Sequence, residues 1–220
     1  MINYLATQKN WQNAFSDTIT SFAELAQALD LPIDSFDSQV GQFPLKVPRR
    51  FVQKMVKGDI NDPLLKQVLP TFQETVQVTG FVTDPLDEQH ANPVKGIIHK
   101  YASRVLIPVT GACVVNCRYC FRQHFDYHEN LPTQNDWQAI SAYITAHPAI
   151  NEVILSGGDP LSLSNRRLLE IFTTLEALPQ VQTIRIHTRV PVMIPERLDE
   201  PLLARFSNSR CHIVMVIHAN

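Results

Sequence analysis

From Arg104 onward, short apolar runs alternate with stretches of helical periodicity, and this alternation constrains the fold more than any other feature of the 220 residues. The apolar runs are Val105 to Val109, Glu152 to Leu155, Val181 to His187 and Ile213 to Ile217. Between them, Trp137 to Ala146 and Arg166 to Leu178 have helical spacing, the latter behind an N-cap at Ser164, and a further helix follows Pro195. Strand, helix and strand in succession predict parallel strands joined by right-handed crossovers. In a barrel of such units, chemistry collects in the loops at the carboxyl ends of the strands. The reactive residues obey that rule. Cysteines follow the first strand, Ser156-Gly157-Gly158-Asp159 the second, Thr188-Arg189 the third and His218 the fourth.

The first hundred residues read as helical and irregular. Trp11, Phe15, Ile19, Phe22, Leu25 and Leu29 recur at spacings of three and four, which predicts an amphipathic helix from Asn10 to Leu29 with a break near Ser16-Asp17. Pro48 opens a second helix through Met55, with Gly58 just past its end, and Asp62-Pro63 starts a third that Pro70 stops. Phe72 to Lys100 reads as an extended arm. The expected division is therefore an N-terminal region over 1–100 and an α/β domain over 101–220. A net charge of −2 gives no indication of nucleic acid or membrane as a partner. With no signal peptide or apolar span, the expected location is the cytoplasm.

Cys113, Cys117 and Cys120 form a C-x3-C-x2-C run. Three thiols are one too few to close a four-ligand metal site. A cubane iron–sulfur cluster takes four thiolates, so a trio leaves one iron free for substrate or cofactor. Zinc closed by His124 or His128 is the competing reading. Disulfides fit less well, because three thiols within eight positions suit metal capture in a reducing compartment. Cys211, in an apolar run, reads as a buried small hydrophobe, although its remoteness does not remove it as a fourth ligand.

Two further stretches have a bland reading beside a chemical one. Gly157-Gly158 is ordinary loop punctuation, or a place where a ligand approaches the backbone closely. His99-Lys100-Tyr101-Ala102-Ser103-Arg104 is a solvated basic turn, or two cations and a phenol suited to a phosphate dianion.

The run Thr110 to Arg122 resembles the cysteine motif of the radical S-adenosylmethionine enzymes. His99 to Leu106, Asp62 to Leu69, Gly80 to His90, Leu155 to Pro160 and Arg185 to Pro191 narrow the resemblance to the lysine 2,3-aminomutase family. They look closest to the branch that makes β-lysine for modifying elongation factor P. The resemblance implies a helical arm followed by the first four β/α units of a partial TIM-type barrel. It implies a [4Fe-4S] cluster on Cys113, Cys117 and Cys120, with Tyr119, Ser156, Gly157, Gly158, Asp159 and His218 at S-adenosylmethionine. Lys100, Tyr101 and Arg104 fall where the family grips the phosphate of pyridoxal 5′-phosphate, and Arg122 where it binds the substrate carboxylate. Gln123 departs from the arginine expected there.

The implied reaction moves the amino group of lysine from C2 to C3, with an external electron donor, elongation factor P and its ligase as functional partners and a homo-oligomer when full length. The lysine that binds pyridoxal phosphate covalently is expected beyond residue 220, since none of Lys46, Lys54, Lys57, Lys66, Lys95 or Lys100 sits at the family's position. The acidic groups for the substrate's ε-ammonium are likewise expected beyond it. The chain therefore reads as an incomplete copy, inactive alone. A radical S-adenosylmethionine enzyme without pyridoxal phosphate and a non-catalytic cluster-binding remnant are the other readings.

Overall fold

The computed structural model describes residues 11–36 and 43–219; the expected helix start at Asn10 and the terminal Asn220 lie outside the described residues. The chain divides into two units, Met1–Pro85 with Val114–His124, and Leu86–Cys113 with Phe125–Asn220. In the first unit residues 11–16 are helical, and the chain then enters strand β1 (Thr18–Ile19), which pairs antiparallel with β2 (Val47–Pro48). The expected break near Ser16-Asp17 is thus a strand entry. Helix α1 (Phe22–Leu29) buries Leu25, Ala26 and Leu29, and Asp30 closes it in the left-handed region at φ 54°. Helices α2 (Arg49–Val52) and α3 (Pro63–Lys66) are single turns, shorter than the spans expected from their prolines.

Asp62 caps α3. Its carboxylate accepts from Leu64 N at 2.8 Å, Leu65 N at 2.9 Å and Val56 N at 2.9 Å, so it joins the helix to the turn before it. Burial pushes its pKa up, but the three N–H donors outweigh burial and hold it below 3.8. A folded value below the unfolded one gives stability that is present above pH 3.8 and lost as pH falls through the folded pKa. Asp62→Ala is expected to cost about 1–2 kcal/mol at neutral pH. Urea unfolding of both proteins checks this: the gap to wild type should narrow under acid, and a pH-independent gap would remove the charge from the account.

The second unit holds a five-stranded sheet in the order β3 (Ile98–Tyr101), β4 (Arg104–Thr110), β5 (Glu152–Gly157), β6 (Thr183–Thr188), β7 (His212–Ile217). β4 to β7 are parallel, in a register that aligns Val105 with Val153, Val153 with Ile184 and Ile184 with Ile213. This unit also carries α4 (Tyr127–Asn130), α5 (Asp136–Ala146), α6 (Asn165–Glu176), α7 (Val190–Met193) and α8 (Glu200–Ser207). Strand residues alternate faces. Val105, Ile107, Val153, Leu155, Ile184 and Ile186 are buried, and helix residues Ile140, Ile144, Leu168, Phe172 and Leu175 complete the core. The opposite positions, Leu106, Ile154, Arg185 and His187, are only half-buried and Arg104 is exposed. A parallel sheet with intervening helices is the mixed α/β fold expected, consistent with part of a TIM-type barrel.

β3 corrects the sequence expectation. It is antiparallel to β4, with Tyr101 opposite Arg104 across the turn at Ala102-Ser103. Residues 86–100 lie in the unit that holds the sheet, and Val114–His124 in the other unit. The physical reason is local: Ile97 and Ile98 are the buried apolar side chains described between residues 91 and 101, and the turn lacks the Asn-Gly or Gly chemistry that marks a hairpin. Among the described residues no helix is long and apolar enough to cross a membrane.

Candidate functional site

The carboxyl ends of β4, β5 and β6 are tied together by the Gly157-Gly158-Asp159 segment. Gly157 has φ 106°, and a Cβ there would stand 2.7 Å from Thr110 O; a Cβ on Gly158 would stand 2.5 Å from Ala112 O. Gly158 N donates to Thr110 O at 2.6 Å and Asp159 N to Ala112 O at 2.9 Å. These glycines let two backbones of the protein touch, and the strand–loop junction that they hold leads directly into Cys113.

Asp159 commits its carboxylate to the neighbouring loop. Oδ1 accepts from Thr188 Oγ1 at 2.6 Å and Leu161 N at 3.0 Å; Oδ2 accepts from Arg189 N at 2.6 Å and Val190 N at 3.1 Å. Burial pushes its pKa up against these four donors. Its side chain thus fixes the β6 loop. Ser156 and Arg189 are buried beside it in sequence order, at the ends of β5 and β6. His218 continues β7, its N–H donating to Thr188 O at 2.9 Å, and burial and the Arg189 charge push its imidazole pKa down.

The cysteine run crosses from one unit to the other: Cys113 ends a segment of the sheet unit, whereas Cys117 and Cys120 lie in the N-terminal unit. Within the latter, Asn116 N donates to Lys46 O at 2.9 Å, Asn116 Nδ2 to Pro44 O at 2.9 Å and Arg118 N to Gln67 O at 2.8 Å. Arg118 Nε donates to Glu74 Oε1 at 2.7 Å and Nη1 to Phe43 O at 3.0 Å, while its Nη2 pairs with the other Glu74 oxygen. Its guanidinium lies 5.2 Å from the Phe43 ring centroid. Neither Arg118 nor Asn116 stands out in the sequence, since their partners are mostly backbone carbonyls some 50 to 75 positions away.

Cys120 N donates to Cys117 O at 3.0 Å, which closes a turn between two thiols. Burial pushes the Cys120 thiol up, as does Cys117, against the pull of Arg122 and Arg118. Tyr119 is 38 % exposed; Arg122 is buried, with its guanidinium 4.6 Å over the Phe121 ring. All four cysteines are free of disulfides, and Cys211 is the buried residue expected, its Sγ donating to Val181 O at 3.3 Å. Among the described residues no three His, Cys, Asp or Glu side chains are grouped so as to hold a metal ion, with zinc-candidate His128 exposed and paired to Glu129 at 2.9 Å. The donor set itself is three unbridged, part-exposed thiols, which suits a thiolate-ligated cluster.

Lys100, Tyr101 and Arg104 flank the β3–β4 turn. Tyr101 is 66 % exposed, Arg104 lies 5.8 Å over its ring, and Lys100 Nζ donates to Leu86 O. This group starts β4 and Cys113 follows its far end, roughly 20 Å along a strand of this length. Exposed cations around a phenol fit a phosphate group.

The family model for the radical SAM superfamily matches residues 107–216. The chain is 44% identical over 216 residues to an L-lysine 2,3-aminomutase of Haemophilus influenzae, and 43% identical over 218 residues to one of Escherichia coli; each alignment covers 97% of this chain and 64% of the relative. An L-lysine 2,3-aminomutase of Clostridium subterminale is 37% identical over 148 residues, 66% of this chain and 35% of that protein. The chain thus spans less than two thirds of the length of the curated relatives it matches.

Proposed function

This chain belongs to the radical SAM superfamily, and from that premise we propose that it is the N-terminal and early-barrel part of a lysine 2,3-aminomutase, an isomerase converting L-α-lysine to β-lysine. The observation that carries the reading is similarity over 97% of the chain to proteins of that name, with the cysteine run at the end of a parallel strand. Cys113, Cys117 and Cys120 would hold the [4Fe-4S] cluster. Tyr119, His218 and the Ser156 to Gly158 backbone would face S-adenosylmethionine. Lys100, Tyr101 and Arg104 would hold the phosphate of pyridoxal 5′-phosphate, and Arg122 the substrate carboxylate.

When bound, these groups supply one-electron cleavage of a C–H bond and a carrier for the migrating nitrogen. The residues of the chain bind and orient. The Asp159 carboxylate ties the β5 loop to the β6 loop, the glycine backbone holds the approach to Cys113, and Arg118 anchors the loop of Cys117 and Cys120 to Glu74. Burial of Arg122 away from bulk water strengthens any pairing it makes with a carboxylate.

We place the activity in the cytoplasm, with an external electron donor, a homo-oligomeric full-length enzyme and elongation factor P and its ligase as downstream partners; the last rests on the closeness of the quoted segments to that branch. The test is anaerobic reconstitution of the full-length protein with iron and sulfide, followed by reductant, S-adenosylmethionine, pyridoxal phosphate and lysine. β-Lysine that depends on all four is expected. Cofactor cleavage indifferent to pyridoxal phosphate would assign a different radical SAM reaction, and stoichiometric zinc without cluster absorbance would remove the cluster. Elongation factor P lacking its β-lysyl mass increment in a strain without the gene is the expected cellular counterpart.

A further inference from the structure

Three charged side chains from adjacent strands meet on the half-buried face of the sheet. Arg104 and Glu152 begin β4 and β5 and stand opposite each other; Arg185, on β6, stands opposite Ile154, two positions along on the same face as Glu152. Arg185 grips the carboxylate with both arms, Nε to Oε1 at 2.9 Å and Nη2 to Oε2 at 3.1 Å. Arg104 stands farther off, its Nη1 3.9 Å from Oε1. The Arg185 hydrogen bonds, against burial and with help from the charges of Arg185, Arg104 and His187, hold the Glu152 pKa below its usual value. The Glu152 side chain is 13% exposed, Arg185 27% and Arg104 46%.

The division of Glu152 between its two arginines decides what Arg104 can bind. A carboxylate about 4 Å from a guanidinium competes directly with any incoming anion for the same positive charge. Matched bidentately by Arg185, the same carboxylate presents a short dipole whose field falls off faster than that of a bare charge. We propose that Arg185 is a positioning residue for a phosphate site on this face, occupying Glu152 so that Arg104 is left to take the phosphate monoester of the cofactor. This rests on the reading that Lys100, Tyr101 and Arg104 hold pyridoxal phosphate. It adds two residues, Glu152 and Arg185, that need not touch the cofactor and yet set its affinity.

The experiment is equilibrium binding of pyridoxal 5′-phosphate and of pyridoxal, which lacks the phosphate, to the full-length protein without reductant or S-adenosylmethionine. The dissociation constant of pyridoxal divided by that of pyridoxal 5′-phosphate isolates the phosphate contribution. Arg185→Gln is expected to reduce that ratio on the order of 10- to 100-fold, as expected for a bare carboxylate beside the binding cation. Glu152→Gln should bind pyridoxal phosphate as well as wild type or better, and Glu152→Gln/Arg185→Gln should recover to within about threefold of wild type, since removal of the competitor makes its neutraliser unnecessary. Weaker binding by Glu152→Gln, or a double variant as weak as Arg185→Gln, would overturn the proposal and make the pair a scaffold. Arg104→Ala separates the two layers. If it weakens phosphate discrimination while Arg185→Gln does not, only the present inference falls; if Arg104→Ala has no effect, the reading on which it rests falls as well.

Discussion

Gly158→Ala is expected to strip the protein of its iron–sulfur cluster nearly as completely as the loss of a cysteine. The added methyl would sit 2.5 Å from Ala112 O and 2.8 Å from Gly111 C, distances that real Cβ atoms do not occupy, and both neighbours are backbone. Overpacking of this kind costs about 1–3 kcal/mol when side chains can yield; here the relief available is movement of the Thr110 to Cys113 backbone itself. The same shift breaks the bonds from Gly158 N to Thr110 O and from Asp159 N to Ala112 O. Cys113 is the next residue, and its displacement would leave two thiolates of the trio for a cubane whose full complement is four. Iron and sulfide per chain after anaerobic reconstitution, beside an unfolding midpoint, is the measurement. Gly111→Ala is the control, because its methyl would meet the Tyr127 ring at 3.2 Å, a side chain able to give by a few tenths of an ångström. Full cluster occupancy in Gly158→Ala would mean that the cysteine run is positioned without the glycine strap.

That strap marks the limit of what the sequence makes legible. The four parallel strands are readable because β4 to β7 are dense in Val, Ile and Leu, and their ends follow within two residues of the expected runs. Ser164 is readable as a cap because its hydroxyl serves a local N–H, Arg167 N at 3.2 Å. What escapes is whatever depends on another segment. Ile98–Tyr101 carries too few buried residues to announce itself as a strand until β4 pairs with it. Gly157 and Gly158 advertise freedom of the backbone but not what approaches it, and nothing local to Asp159 indicates that Thr188, Arg189 and Val190 supply donors to its carboxylate. Glu152 and Arg185 sit 33 positions apart and become partners only through the parallel register.

Arg197 shows the same rule at its largest energetic scale. The sequence Pro195-Glu196-Arg197 gives no sign of it, but Arg197 is completely buried, with Nε donating to Leu161 O at 2.7 Å, Nη1 to Asn165 Oδ1 at 2.8 Å and Nη2 to Leu163 O at 2.9 Å. Burial lowers its pKa to about 10, opposed by the charges of Asp199 and Asp159, so the guanidinium remains a cation at neutral pH. Its fork therefore holds the turn that carries the chain from Asp159 into α6. Replacing a buried ion pair with apolar residues is often harmless when both partners are changed, but here two of the acceptors are main-chain carbonyls that no substitution removes. Each unsatisfied acceptor costs about 1–3 kcal/mol. Arg197→Met, which keeps the stem and deletes the donors, is accordingly expected to destabilise the fold by about 3–5 kcal/mol, read from urea unfolding, with loss of hydrogen-exchange protection across residues 161–165. Arg197→Lys should recover only part of the loss, because a single ammonium on a flexible stem does not reproduce the planar fork that serves three acceptors at once. A loss below about 1 kcal/mol in Arg197→Met, the level of an exposed pair, would show that packing alone holds the turn and that the buried cation is incidental to it.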